Sequence, residues 1–327
     1  MKFAWLCSHE SYQHEVLVDQ AILAEELGFD VILGSDHFHP WVDDISAAGF
    51  VWSWFGAVAA RTDHVELATS VNCPLFHYHP ALIAQAAATV DRLSGGRFIL
   101  GVGTGENINE GPMGFEFPGY KERIARMQEA LEIMHRLFAG EKLDFAGDYY
   151  VADKAKLYSP PVSRIPIWMA AGGPKSATFA GGHADGLITS VKVPAETQDN
   201  VIDPFHAATQ ERGKELGHIM GTRWCVLAED EHEAWQALGS MRGLRAPGRL
   251  EVVDPMVLRQ RADAMDRVEI LGKYSIVGSI EELYETYRPL VEMGCDYIAI
   301  QIASTDPNKT LAMVGTELLP ELRKLGG

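Results

Sequence analysis

Asp36, His37, His39 and Trp41 fall together in the stretch "GSDHFHPW", which runs from Gly34 to Trp41. A histidine and a carboxylate held close together can divide acid and base duties, because their surroundings push their pKa values apart. A second carboxylate, Glu106, sits in "GTGENINE", Gly103 to Glu110. Two further clusters are "SVNCP", Ser70 to Pro74, and "GGPKS", Gly172 to Ser176. Glycine lets backbone N–H groups approach a ligand closely, and an adjoining helix start favours an anion. Two such turns point to a cofactor carrying phosphate or carboxylate, although tight connections use glycine for structural reasons as well.

The pairs His37/His39 and His77/His79 have HxH spacing, which on a strand presents two metal ligands on one face. A metal site is not expected. "IPIWMAAGG" supplies no further ligand, and "IQIAS" no carboxylate before Asp306. His77 and His79 flank a helix start before Pro80 and read as loop packing; His135, Trp52 and Trp54 read as structural.

The elements that must carry these clusters alternate along the chain. "KFAWL", "DVILG", "VELATS", "RFILGVG", "IPIWMAA", "DGLITS", "MGTRWCVLA" and "CDYIAIQIA" are near-continuous apolar runs, mostly separated by helical patterns such as "PALIAQAAATVDRL". Strands of that kind belong to a parallel sheet covered on its outer face. Eight strand–helix units predict an α/β fold, a TIM (β/α)8 barrel, over residues 1–327 as one domain. "KLDFAGDYYV" reads as a hairpin outside that count. The least regular stretch, "GSMRGLRAPGRLEVVDP", is rich in Gly, Pro and Arg and leads into the helical "MVLRQRADAM". Together they form an insertion around 240–275 at the barrel's C-terminal face, placed to act as a lid. In a barrel, catalytic groups sit at the carboxyl ends of strands, and all four clusters do.

With 47% hydrophobic residues the chain can bury a large core, and a net charge of −17 argues against nucleic acid or an anionic membrane as partner. The N-terminal residues lack a signal-peptide pattern, and Cys7, Cys73, Cys225 and Cys295 lack CxxC spacing. The expectation is a soluble, cytoplasmic protein.

Taken together, "SDHFHPW", "TSVNCP", "GVGTGENINE", "WMAAGGPKSA" and "ADGLITS" resemble the bacterial-luciferase-like flavin superfamily. More narrowly they resemble its branch that uses coenzyme F420, the glucose-6-phosphate dehydrogenase-like group, along the whole chain. The resemblance implies that Asp36 contacts the deazaflavin, His37 handles the substrate hydroxyl proton, Trp41 shapes and polarises the site, and Glu106 exchanges a proton with cofactor or substrate. It implies a cofactor site lined by Cys73, Thr104, Gly105, Asn109, Gly172, Gly173, Lys175 and Ser176, with a non-prolyl cis peptide at Ser70–Val71 behind the ring. Ser190, Lys192, Gln260 and Tyr274 fall at or beside the group's phosphate-binding positions, and cations at the aligned places are replaced or displaced. The implied activity is therefore oxidation of a secondary alcohol or unphosphorylated sugar. A sugar-6-phosphate dehydrogenase is the alternative, and an FMN-dependent monooxygenase on the same barrel is the second. A homodimer is implied by analogy.

Overall fold

The computed structural model describes residues 1–326. Its strands are β1 (Lys2–Cys7), β2 (Val31–Gly34), β3 (Glu66–Thr69), β4 (Phe98–Val102), β5 (Leu143–Ala146), β6 (Val151–Ala155), β7 (Ile167–Ala170), β8 (Gly186–Ser190), β9 (His218–Leu227), β10 (Ser275–Val277) and β11 (Tyr297–Ala303). All eight predicted apolar runs are strands, paired in parallel in the order β11-β1-β2-β3-β4-β7-β8-β9, and β9 closes the ring on β11. β5 and β6 form the antiparallel hairpin. No apolar run marks β10 in the sequence. It pairs with Cys225–Leu227 of β9, beyond the residues of β9 that pair with β8.

Helices pack around the ring, with ends set by local chemistry. The helix Pro80–Ser94 starts at a proline, has the His79 imidazole accepting from the Ala81 N–H at 3.1 Å, and stops at Gly95 in the left-handed region. His79 is thus a structural residue, as expected.

Inside the barrel, large residues fill the lower layers. Val31, Ile99, Trp168, Ile188, Met220 and Tyr297 are buried together, and the Trp168 and Tyr297 rings meet edge-on at 4.7 Å. Side chains alternate along each strand, so the same faces continue upward to Ser35, Ser70 and Gly103, which are small and line a cavity at the mouth. The taper is closest between β3 and β4. A Cβ on Gly101 would lie 2.0 Å from the Thr69 carbonyl oxygen, and one on Gly103 would lie 2.7 Å from Val71 Cγ2.

The insertion is a short 3-10 segment (Gly239–Arg245), a loop, and the helices Pro255–Asp263 and Arg267–Leu271. It has its own apolar core of Met241, Ala246, Val252 and Leu258, built around Trp41. Polar staples tie it to the segment after β2. The buried Arg242 donates to Asp44 at 2.6 Å, to Asp263 at 2.8 Å and to the Gly239 carbonyl at 3.0 Å. Arg259 donates to Asp43, and His39 Nδ1–H donates to the Val253 carbonyl at 2.9 Å.

Two outcomes are expected. Gly101→Ala meets backbone that cannot yield, so it should cost at least about 1–3 kcal/mol, seen as a lower urea midpoint. Arg242→Ala leaves Asp44 and Asp263 without their shared partner and should cost about 2–3 kcal/mol. That second loss should also expose the insertion to limited proteolysis, and an unchanged cleavage pattern would argue that the ion pairs do not hold it.

Candidate active site

At the C-terminal mouth of the barrel lies a cavity of about 580 Å³, lined by residues from the ends of β2, β3 and β4. Of the expected site residues, Asp36, His37, Ser70, Val71, Cys73, Gly105, Glu106 and Asn109 line it. The Ser70–Val71 peptide is cis.

The β2 loop is held by Asn109, whose Oδ1 accepts from the backbone N–H of Phe38 at 3.0 Å and of His39 at 3.3 Å. Asp36 lies beneath, accepting from Asn72 Nδ2 at 2.5 Å. Burial pushes the Asp36 carboxyl up to about 6, helped by Glu110 and opposed by the Asn72 hydrogen bond and by His77 and His37. His37 Nδ1 faces the His39 carbonyl at 3.0 Å. A carbonyl only accepts, so Nδ1 carries the proton and Nε2 remains the acceptor.

Trp41 is buried beneath the insertion, with its indole edge-on to His37 at 5.3 Å between centroids. Glu106 lines the cavity, and its Oε1 accepts from Arg249 Nη1 at 2.9 Å.

Several lining residues lie outside the sequence expectation. Asn72 is fully buried, and Ser35 donates to the buried Glu10 at 2.5 Å. His77, read from sequence as loop packing, instead lines the cavity and donates from Nδ1 to the fully buried Glu110 at 2.6 Å. Glu110 stands four residues after Glu106 in one helical turn, and that spacing was the available signal. Burial and the Glu110 carboxylate push the Cys73 thiol well above its usual range.

Other expected residues lie outside this lining. Gly172 and Gly173 precede the helix Pro174–His183, where Ser176 Oγ–H donates to the Gly173 carbonyl at 2.9 Å. Lys175 is exposed beside a separate surface groove with Tyr120 and Phe179, and Thr104 is half-buried after β4. Ser190 is exposed at the end of β8. Gln260 is exposed on its helix between Arg259, which pairs with Asp43, and Arg261, which donates to the Pro247 carbonyl at 2.9 Å. Tyr274 donates to the Met241 carbonyl at 2.8 Å and packs on Trp224, so it supports the insertion.

Lys192 is different. Arg245 foremost, then partial burial, Arg223 and Arg249, hold its ammonium below the usual range. Among the described residues, Lys192, Arg223 and Arg245 have no acidic partner, and the buried Arg245 Nε has no hydrogen-bond acceptor.

The elevated Asp36 carboxyl has a testable consequence. It keeps its proton in the folded state to higher pH than in the unfolded chain, whose ordinary value is 3.8. Its unfavourable contribution is absent below that value, grows as pH rises through the window up to about 6, and is constant above it. Asp36→Asn should therefore gain stability relative to wild type as pH is raised through that window, measured as paired urea midpoints. A difference that does not vary with pH would mean that Asp36 titrates alike in both states.

The comparisons agree with this architecture. The luciferase-like monooxygenase family model matches residues 1–297. An F420-dependent glucose-6-phosphate dehydrogenase of Nakamurella multipartita is 35% identical over 336 residues, covering 100% of this chain and 98% of the relative. The enzyme of the same name from Nocardia farcinica is 35% identical over 333 residues, covering 99% of each. Among solved structures, an F420-dependent secondary alcohol dehydrogenase in complex with an F420–acetone adduct superposes with a TM-score of 0.90 at 30% identity, over 98% of this chain and 99% of that one. A monooxygenase from Streptomyces bottropensis, TM-score 0.73 at 24% identity over 98% of this chain and 99% of its own, shares the fold. The chain belongs to the luciferase-like family, on the branch that holds the F420-dependent dehydrogenases.

Proposed function

We propose that this protein is an F420-dependent dehydrogenase that moves a hydride from the CH–OH carbon of a small alcohol or sugar to the deazaflavin. The observation that carries the reading is one cavity lined by both His37, whose Nδ1 is engaged by the His39 carbonyl, and Glu106, with Gly103 and Gly105 along its wall. The residues fit the cofactor. Gly103 and Gly105 lack the Cβ that would crowd Val71 and Cys73, which leaves a flat wall for a planar ring. Gly172 and Gly173, at a helix start with Lys175, would receive the anionic tail.

The deazaflavin supplies hydride acceptance without sustaining oxygen chemistry, so the protein needs to orient and to move protons. His37 Nε2 takes the hydroxyl proton as the C–H bond breaks, which raises electron density on the carbinol oxygen. The His39 carbonyl stabilises the imidazolium through Nδ1–H. Glu106 would then supply the proton that balances hydride addition to the ring. Asp36, buried and bonded to Asn72, lies against the ring site. The same reading makes residues 1–327 one domain of a cytoplasmic protein, paired with a second copy by analogy with the group. The FMN-monooxygenase alternative is weaker, since the monooxygenase likeness at 24% identity is one of fold.

One observation favours a second reading of the substrate. Lys192 with Arg223, Arg245 and Arg249 gathers positive charge at the mouth of a chain that is strongly acidic overall. Convergent cations of this kind suit a phosphate or carboxylate on the substrate. They include Lys192, Arg245 and Arg249, cations whose displacement from the group's aligned positions carries the expectation of an uncharged substrate, so a rebuilt anion site at the mouth is the direct rival of that expectation.

Titration should show F420 binding far more tightly than FMN, and oxygen-dependent turnover with FMN would overturn the reading. His37→Ala and Glu106→Gln should each lower kcat at least about 10²-fold, with a much smaller change in cofactor affinity. Isopropanol, glucose and glucose 6-phosphate, compared at low and high salt, decide the substrate class. A strong, salt-sensitive preference for the phosphate ester establishes the cationic mouth as its site, and equal rates discard that second reading.

A further inference from the structure

Arg249 reaches from the insertion into the active site and touches two of its residues. Its Nη1–H donates to Glu106 Oε1 at 2.9 Å, and its guanidinium lies 5.5 Å from the centre of the Trp41 ring. The other edge of that assembly is His37, 5.3 Å from the same indole. Trp41 is itself buried in the insertion's apolar core, so the indole is a fixed platform.

The chain before Arg249 is shaped to deliver it. Gly248 has a φ of +66°, and a Cβ there would meet Arg261 Nη1 at 2.6 Å. Arg261 in turn donates to the Pro247 carbonyl at 2.9 Å, which pins the turn. A carboxylate on a free side chain rotates about its last bond and presents either oxygen. Held by a charge-assisted hydrogen bond on Oε1, with the cation resting on an indole face, Glu106 keeps Oε2 as its one oxygen without a hydrogen-bond partner among the described residues, in a side chain that lines the cavity. Reduced freedom at a proton-transferring group lowers the barrier by keeping it in the reactive geometry.

We propose that Arg249 is a positioning residue for Glu106, supplied by the insertion, which fixes the carboxylate oxygen that faces the reacting atoms. This rests on the dehydrogenase reading above and goes beyond it, because it makes the insertion part of the catalytic apparatus rather than a cover or a substrate-binding lid.

The test is a double-mutant cycle with Arg249→Gln and Glu106→Gln, assayed with isopropanol and with glucose 6-phosphate. Alone, R249Q should lower kcat about tenfold on both substrates, and in the E106Q background it should cost less than about twofold more. R249K, which keeps the charge without the planar fork, should recover part of the loss. F420 affinity, followed by fluorescence titration, should stay within about twofold, because the residue acts through Glu106. In the ligand-free protein, the same cycle on urea midpoints should also be non-additive, a readout that needs no turnover. Losses that multiply in the double variant overturn the proposal. So does a loss confined to the phosphate ester and to KM, which would make Arg249 a substrate contact. Failure of the wild-type enzyme to reduce F420 with any of the CH–OH donors sinks the functional reading instead, and the ligand-free cycle still decides whether Arg249 and Glu106 are coupled.

Discussion

The structure of the mouth depends on how closely β3 and its continuation can approach β4. Gly101, Gly103 and Gly105 occupy alternate positions, and a Cβ on each would strike Thr69, Val71 and Cys73 in turn, at 2.0, 2.7 and 2.7 Å. The backbones then bond directly: Asn72 N–H to the Gly101 carbonyl and Gly103 N–H to the Asn72 carbonyl, both at 2.9 Å. Asn72 is carried down to reach Asp36, and Gly105 allows the chain to turn so that Glu106 and Glu110 flank the cavity. Three absent methyl groups thus set the places of Asp36, Asn72 and Glu106.

From that floor upward, the site is built by pairing each charged group with a different kind of neighbour. Asp36 is buried beside an amide, Glu110 beside an imidazole, and Glu106 beside a guanidinium. The three carboxylates therefore differ in environment although they share one cavity, which is the usual physical route to distinct acid–base roles. The acidic net charge is not uniform either, since cations with no acidic partner collect around Lys192.

Much of this was legible in the sequence. The eight apolar runs, each too hydrophobic for a half-exposed strand, specified a closed parallel sheet, and the strand-end clusters marked the face that carries chemistry. Asp36, His37, Cys73, Glu106 and Asn109 converge as their positions implied. What escaped were partnerships between distant segments. His77 looked like loop packing because its partner Glu110 is 33 residues away, and no local period announces such a pair. β10 is only three residues long and exists because β9 outruns β8, a mismatch in strand length that hydrophobic patterning does not encode. The arginines of the insertion were visible as a charged cluster. Which of them face Asp43, Asp44 or Glu106 depends on a fold that sequence periodicity leaves open.

The stapling of the insertion to the segment after β2 bears on how such barrels can be recombined. Trp41 belongs to the core of residues roughly 200 positions later, and Gly243 is small because a Cβ there would meet the Trp41 carbonyl oxygen at 2.0 Å. Transplanting residues 239–263 alone into a relative would strand Arg242 without Asp44 and Arg259 without Asp43. The heritable block is the pair of segments 36–47 and 239–263, distant in the chain but one object in space. Chimeras cut at its borders should keep the insertion seated on its own platform, whereas those that split it leave its arginines unpaired and its core open.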